Sequence, residues 1–142
     1  MHPAEAILDA VLAAVEEELE GNESAYLHRS TSVSNDEIPC VCVNYGEDTP
    51  DTESQTLNTL GSSLEVILTA ICAGDDESEV KADLLAMRSA THRAMASLAV
   101  DSAWYVQYAG CSAPQLDQRE RMVGELTSRW LVRYQMSISD PE

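Results

Sequence analysis

Phenylalanine is missing from this chain, and Lys81 is its single lysine. The first absence means that any core is built from Leu, Val, Ile and Ala, because Trp and Tyr supply only 5% of the residues. The second, set against 25 Asp and Glu and a total of eight Lys and Arg, leaves a formal net charge of -17. A surface of that sign repels phosphates, which argues against sequence-specific binding of DNA or RNA. Cys-x-x-Cys motifs and paired His are lacking, so there is no zinc framework, and no other cofactor site is expected. Apolar runs stay well short of the ~20 residues that span a bilayer, so no membrane role is expected. The N-terminal segment is acidic and amphipathic rather than basic then apolar, which is not a secretory signal. A cytoplasmic origin is the expectation, with the Asn22-Glu23-Ser24 sequon idle.

What is present fits one domain over residues 1–142: the chain is long enough to bury a core, and 44% of it is apolar. Three readings of the charge stand open. It serves solubility or life in high salt, or it mimics DNA and occupies a nucleic-acid enzyme, or it lines a conduit past which DNA slides without sticking. Four Cys weigh against specialisation for high salt. Cys40 and Cys42 are two apart, so on a strand they share a face, while Cys72 and Cys111 lie far off in sequence. All four read as reduced thiols. A thiol enzyme would need Cys111 with His28 or His92, and nothing around them suggests an activated thiolate. The expectation is a protein without catalytic function.

Taken in order, Pro3 suits a first helical turn, and Ile7, Leu8, Val11, Leu12, Val15 and Leu19 recur at helical spacing. Gly21 and Asn22 supply the stop. Residues 26–33 alternate weakly and predict a strand rich in Ser and Thr, followed by a polar turn at Asn35-Asp36-Glu37. Pro39 opens the next strand, where Cys40 and Cys42 face one way and Val41 and Val43 the other. Both faces are apolar, so this strand is central. An acidic loop or arm over 46–60 follows, carrying Glu47, Asp48, Asp51 and Glu53. The strand over 63–72 alternates cleanly, with Leu64, Val66, Leu68 and Ala70 on one face, and Gly74 ends it. Asp76-Glu77-Ser78-Glu79 has the form of a capping box. The helix behind it carries Val80, Leu84, Met87, Thr91, Met95 and Leu98 on one stripe, a core stripe rather than a cofactor box. His92 reads as a residue of the exposed helix face. Residues 104–108 predict a short strand closed by Gly110, and 116–120 a polar link. The last strand places Met122, Gly124, Leu126, Ser128, Trp130, Val132, Tyr134 and Met136 on one face.

The expected fold is therefore α/β of the α+β kind: a mixed, mainly antiparallel sheet of about five strands with two main helices packed on it, in the order α-β-β-β-α-β-β.

The same order and punctuation resemble the tail terminator proteins of long-tailed bacteriophages, of the lambda minor tail protein U type. The resemblance is carried by the amphipathic first helix and by Ile38-Pro39-x-Val41-x-Val43. A variable polar loop, Leu64-x-Val66-x-Leu68 and an acidic helix start over 75–79 follow. The chain then closes with Trp130-Leu131-Val132-Arg133-Tyr134-Gln135-Met136. It covers nearly the whole chain, which departs from the family in its polar segment over 26–33 and its four Cys.

The resemblance implies a hexameric ring that caps the tail tube of a siphovirus-like, non-contractile tail. Such a ring ends tube polymerisation and joins the tail to the head connector, or stopper, protein. Its partners would be further copies of itself, the tail tube protein and the connector. DNA would pass through its channel unbound. Its place would be the virion, at the head-proximal end of the tail, after assembly in the host cytoplasm. The family brings no catalytic residues. Ring closure needs two different patches to meet, and Arg88, Arg93, Arg129 and Arg133 are candidates for the basic side. Glu47, Asp48, Asp51 and Glu53 of a neighbour are candidates for the acidic side.

Overall fold

The computed structural model describes residues 3–19, 24–27, 39–50, 59–101, 104–118 and 121–137. In chain order the elements are α1 (Pro3–Leu19), β1 (Ser24–Leu27), β2 (Cys40–Pro50), β3 (Thr59–Gly74), α2 (Glu77–Asp101), β4 (Tyr105–Cys111), β5 (Gln115–Gln118) and β6 (Met122–Ser137). The strands form one sheet in the order β1-β2-β3-β6-β4, with β5 also paired to β6. β1 runs parallel to β2, and every other pair is antiparallel. The fold is thus the expected mixed α+β arrangement, with one strand more than expected.

The sheet is organised on the pairing of β3 with β6, which runs without a shift from Thr59 opposite Ser137 to Gly74 opposite Met122. Strict alternation in both strands puts Leu64, Val66, Leu68 and Ala70 beside Val132, Trp130, Ser128 and Leu126, all buried. Both helices pack on that face. α1 buries Ile7, Leu8, Val11, Val15 and Leu19, and all six stripe residues of α2 are buried. One aliphatic cluster draws on α1, β2, β3, α2 and β6. Removal of this much apolar surface from water is the main stabilising term.

The N-terminus of α2 is closed by side chains. Asp76 Oδ1 accepts a hydrogen bond from the Glu79 amide at 2.8 Å, as a capping box requires. Glu79 Oε2 accepts from the Asp75 amide at 3.1 Å, one residue earlier than the usual reciprocal bond.

Several expectations are corrected. The early strand occupies Ser24–Leu27, so of 26–33 only Tyr26 and Leu27 belong to it; residues 28–33 and the turn at 35–37 lie outside the described residues. The acidic segment is not a loop from residue 46: β2 continues to Pro50 and β3 begins at Thr59, which leaves only 51–58 of the expected arm outside the described residues. The low strand propensity of Gly, Glu, Asp and Pro is overridden there because β3 is long enough to offer a partner ladder. The expected polar link over 116–120 is instead a strand at Gln115–Gln118, paired along β6.

The continuation of β2 passes through a bulge. Tyr45 pairs with Val66 and Asp48 with Leu64, so Gly46 and Glu47 together oppose Glu65. A Cβ on Gly46 would fall 2.1 Å from Glu65 Oε1, so this step tolerates no side chain unless Glu65 moves. The extra residue reverses the alternation: Val41 and Val43 face the helices before the bulge, and Asp48 shares that face after it. β4 and β5 line the opposite margin of β6 as one interrupted strand. Near its end β4 carries a bulge at Gly110, whose φ of 118° suits only glycine, and the break after Cys111 holds Pro114, which has no N–H to offer. Both features blunt an edge against unwanted pairing.

Candidate interaction surface

The candidate site residues fall into three places. At the far end of β2, Glu47 is exposed on the bulge and Asp48 turns onto the helix side. There its carboxylate accepts hydrogen bonds from the Tyr134 hydroxyl and from Ser62 Oγ. Burial, reinforced by the bond to Asp48, pushes the Tyr134 phenol up to about 12. Asp48 is therefore engaged within its own chain. Asp51 and Glu53 lie outside the described residues.

On the face of the sheet away from the helices, Arg129 Nη1 lies 3.4 Å from Glu65 Oε1, and the Arg133 guanidinium sits 5.4 Å from the centroid of the Tyr105 ring. Both contacts are solvent-exposed and contribute little to stability. Near β2 the same face is closed, because Cys40, Cys42, Ile71 and Val123 form a second buried cluster. Towards β6 and β4 it opens to Glu125, Arg129, Arg133, Tyr105 and Gln107.

Arg88 and Arg93 stand together on α2, away from the other two arginines. Arg88 Nη2 donates to the Tyr108 hydroxyl at 3.3 Å, and Arg93 Nε donates to Glu18 of α1 at 3.1 Å. Between them lies an open groove of about 410 Å³ lined by Leu85, Arg88, Ser89, His92 and Arg93. His92 is not on a bare helix face as expected. Its ring packs 4.9 Å from Tyr108 and 5.0 Å from Trp130, edge-on to the latter. Its Nε2 is buried and meets no hydrogen-bond partner in the structure. Burial and then the neighbouring Arg88 charge lower its pKa below 6.5, so the ring is held neutral.

Helical spacing alone placed Arg88, His92 and Arg93 near one another, but their aromatic backing depends on the β4–β6 register. Tyr108 pairs with Trp130, Trp130 with Val66, and Val66 with Tyr45. One row thus crosses the sheet on the helix side, with an exposed tyrosine at each end and buried residues between. Tyr45 and Leu85 are 54% and 53% exposed; helical spacing already left Leu85 off the buried stripe of α2, whereas no local pattern singled out Tyr45.

Among the described residues no three His, Cys, Asp or Glu side chains converge as a metal would require, and no helix is long and apolar enough to cross a membrane. Cys111 is half-exposed, with Sγ 3.5 Å from its neighbour's Ser112 carbonyl oxygen. Cys72 is buried, and burial pushes its thiol up to about 11, the direction opposite to nucleophilic activation. His28 lies outside the described residues. No protein-family model matches the sequence, and no curated protein does.

Proposed function

We propose that this chain is a structural virion protein of the tail terminator kind. Copies close into a hexameric ring that caps the tail tube, ends its polymerisation and carries the connector that joins tail to head. The observation that supports this most is the division of the sheet. One face is sealed by helices over an aliphatic core, while the margins and part of the other face present paired charges and exposed tyrosines. Such a unit needs no further burial to fold, yet keeps two dissimilar margins for docking to its own kind. The -17 charge suits a passage that DNA traverses without specific binding, since phosphates are repelled from its wall. On this reading the protein is no enzyme and uses no cofactor. It acts in the virion, at the head-proximal end of the tail, after assembly in the host cytoplasm.

Light-scattering mass and negative-stain imaging, with and without tail tube protein, test the reading. Six-membered rings at tube ends are expected. A monomer that ignores tubes and instead binds a nucleic-acid enzyme tightly would overturn it in favour of an acidic mimic of DNA.

A further inference from the structure

The row Tyr45–Val66–Trp130–Tyr108 has chemically opposite ends. At the β2 end, Tyr45 is exposed on the helix side of the sheet, and two residues on, the bulge carries the exposed Glu47 opposite Glu65. β1 pairs with β2 from Cys40 to Val43. At the other end, Tyr108 and Leu85 are exposed beside Arg88, His92 and Arg93. Three strand spacings separate the ends, about 14 Å. One margin is thus aromatic and acidic, and the other is apolar and basic.

We infer that these margins are the two halves of a single repeating contact, in which Tyr45 and Glu47 of one copy seat in the groove over Leu85, Arg88, Ser89, His92 and Arg93 of a second copy. Charge complementarity selects this occupant. In a chain of net charge -17, two arginines flanking an apolar patch form an uncommon surface, and an exposed aromatic ring with a carboxylate two residues along the same strand fits it. Among the described residues, Arg88 and Arg93 each direct one donor to a partner in the chain, and a guanidinium has five N–H groups, so an incoming carboxylate has donors to meet. Tyr45 would cover Leu85 and the edge of Tyr108, removing three exposed apolar groups from water. The two ends differ and lie on opposite margins, so the contact is heterologous. Copies repeat side by side, giving a ring if the rotation closes and a filament if it does not.

The inference rests on the self-assembly reading above and separates from it by experiment. Association of the full chain is followed by light scattering over a concentration series for wild type, Glu47→Arg, Arg88→Glu/Arg93→Glu and the combined triple variant. Each reversal alone is expected to weaken association by about tenfold or more, and the triple variant to restore most of it. Circular dichroism checks that the exposed substitutions leave the fold intact, and Leu85→Asp offers a second probe without changing either arginine. If wild type associates and neither the reversals nor Leu85→Asp alter it, the docking site is wrong while self-assembly stands. A wild-type chain that stays monomeric at all concentrations, alone and with tube protein, overturns both.

Discussion

β3 and β6 contribute alternate residues to two faces, and the two faces behave as different materials. Towards the helices, Leu64, Val66, Leu68, Leu126, Ser128, Trp130 and Val132 are each at most 7% exposed. On the opposite side, Glu65, Ile67, Arg129, Leu131 and Arg133 are half-buried or exposed. A single shift of register would exchange the two sets, so the alternation specifies which side folds the molecule and which is left for contact. The bulge in β2 performs such an exchange locally. Beyond it an acidic residue, Asp48, takes the helix-side position that Val41 and Val43 hold before it, and β2 adds no further residue to the buried cluster.

This contrast can be broken most strongly at Trp130. Trp130→Ala removes a buried indole whose Nε1 donates to Ser128 Oγ at 3.1 Å and on which His92 and Tyr108 pack. It is expected to destabilise by about 3–5 kcal/mol in urea denaturation, whereas Leu131→Ala next door costs about 1 kcal/mol or less. Equal losses would mean that the far face is as well packed as the helix face. A smaller effect belongs to Tyr134→Phe, which deletes the bond to Asp48 and is expected to cost about 1–2 kcal/mol near neutral pH. The same variant carries a pH signature. The folded chain keeps the Tyr134 proton up to about 12, against 10.0 for an unshifted phenol. Its contribution is therefore complete below pH 10 and lost as pH rises from there towards 12. Tyr134→Phe flattens that part of the decline, leaving the fall between pH 9.0 and about 11 that the raised Cys72 thiol supplies. Urea midpoints for both proteins from pH 8 upward test this. Smallest is Glu65→Gln. It breaks an exposed pair with Arg129 and is expected to shift stability by no more than about 1 kcal/mol, less in high salt. A larger loss would show that the far face contributes to the folded state beyond what its exposure implies.

The extent to which these features were legible differs by residue. Leu64 to Ala70, the β6 alternation and the α2 stripe from Val80 to Leu98 were readable because burial imposes a period on neighbours in sequence. Asp76 and Glu79 were readable as a cap for the same local reason. The strand identity of Gly46 to Pro50 was not, since its composition argues for a loop and only β3, a distant segment, stabilises it as strand. Gln115–Gln118 was missed likewise: Gln and Asp give no strand signal, and the pairing with Gly124 and Val123 supplies one. Of the proposed contact residues, Glu47, Arg88 and Arg93 were named from charge alone. Their separation into two margins, the diversion of Asp48 to Tyr134, and the burial of His92 Nε2 all follow from register.

By itself the sequence determined the two helices and five of the six strands in their order, the faces of β3, β6 and both helices that would be buried, and a surface dominated by carboxylates. These depend on side-chain periodicity and composition, which act over a few residues. Tertiary structure alone decided where β2 reverses its faces, and that an exposed tyrosine at one end and a basic groove at the other close one row. Those outcomes arise from pairing between segments far apart in the chain, where the partner rather than the local pattern sets the geometry.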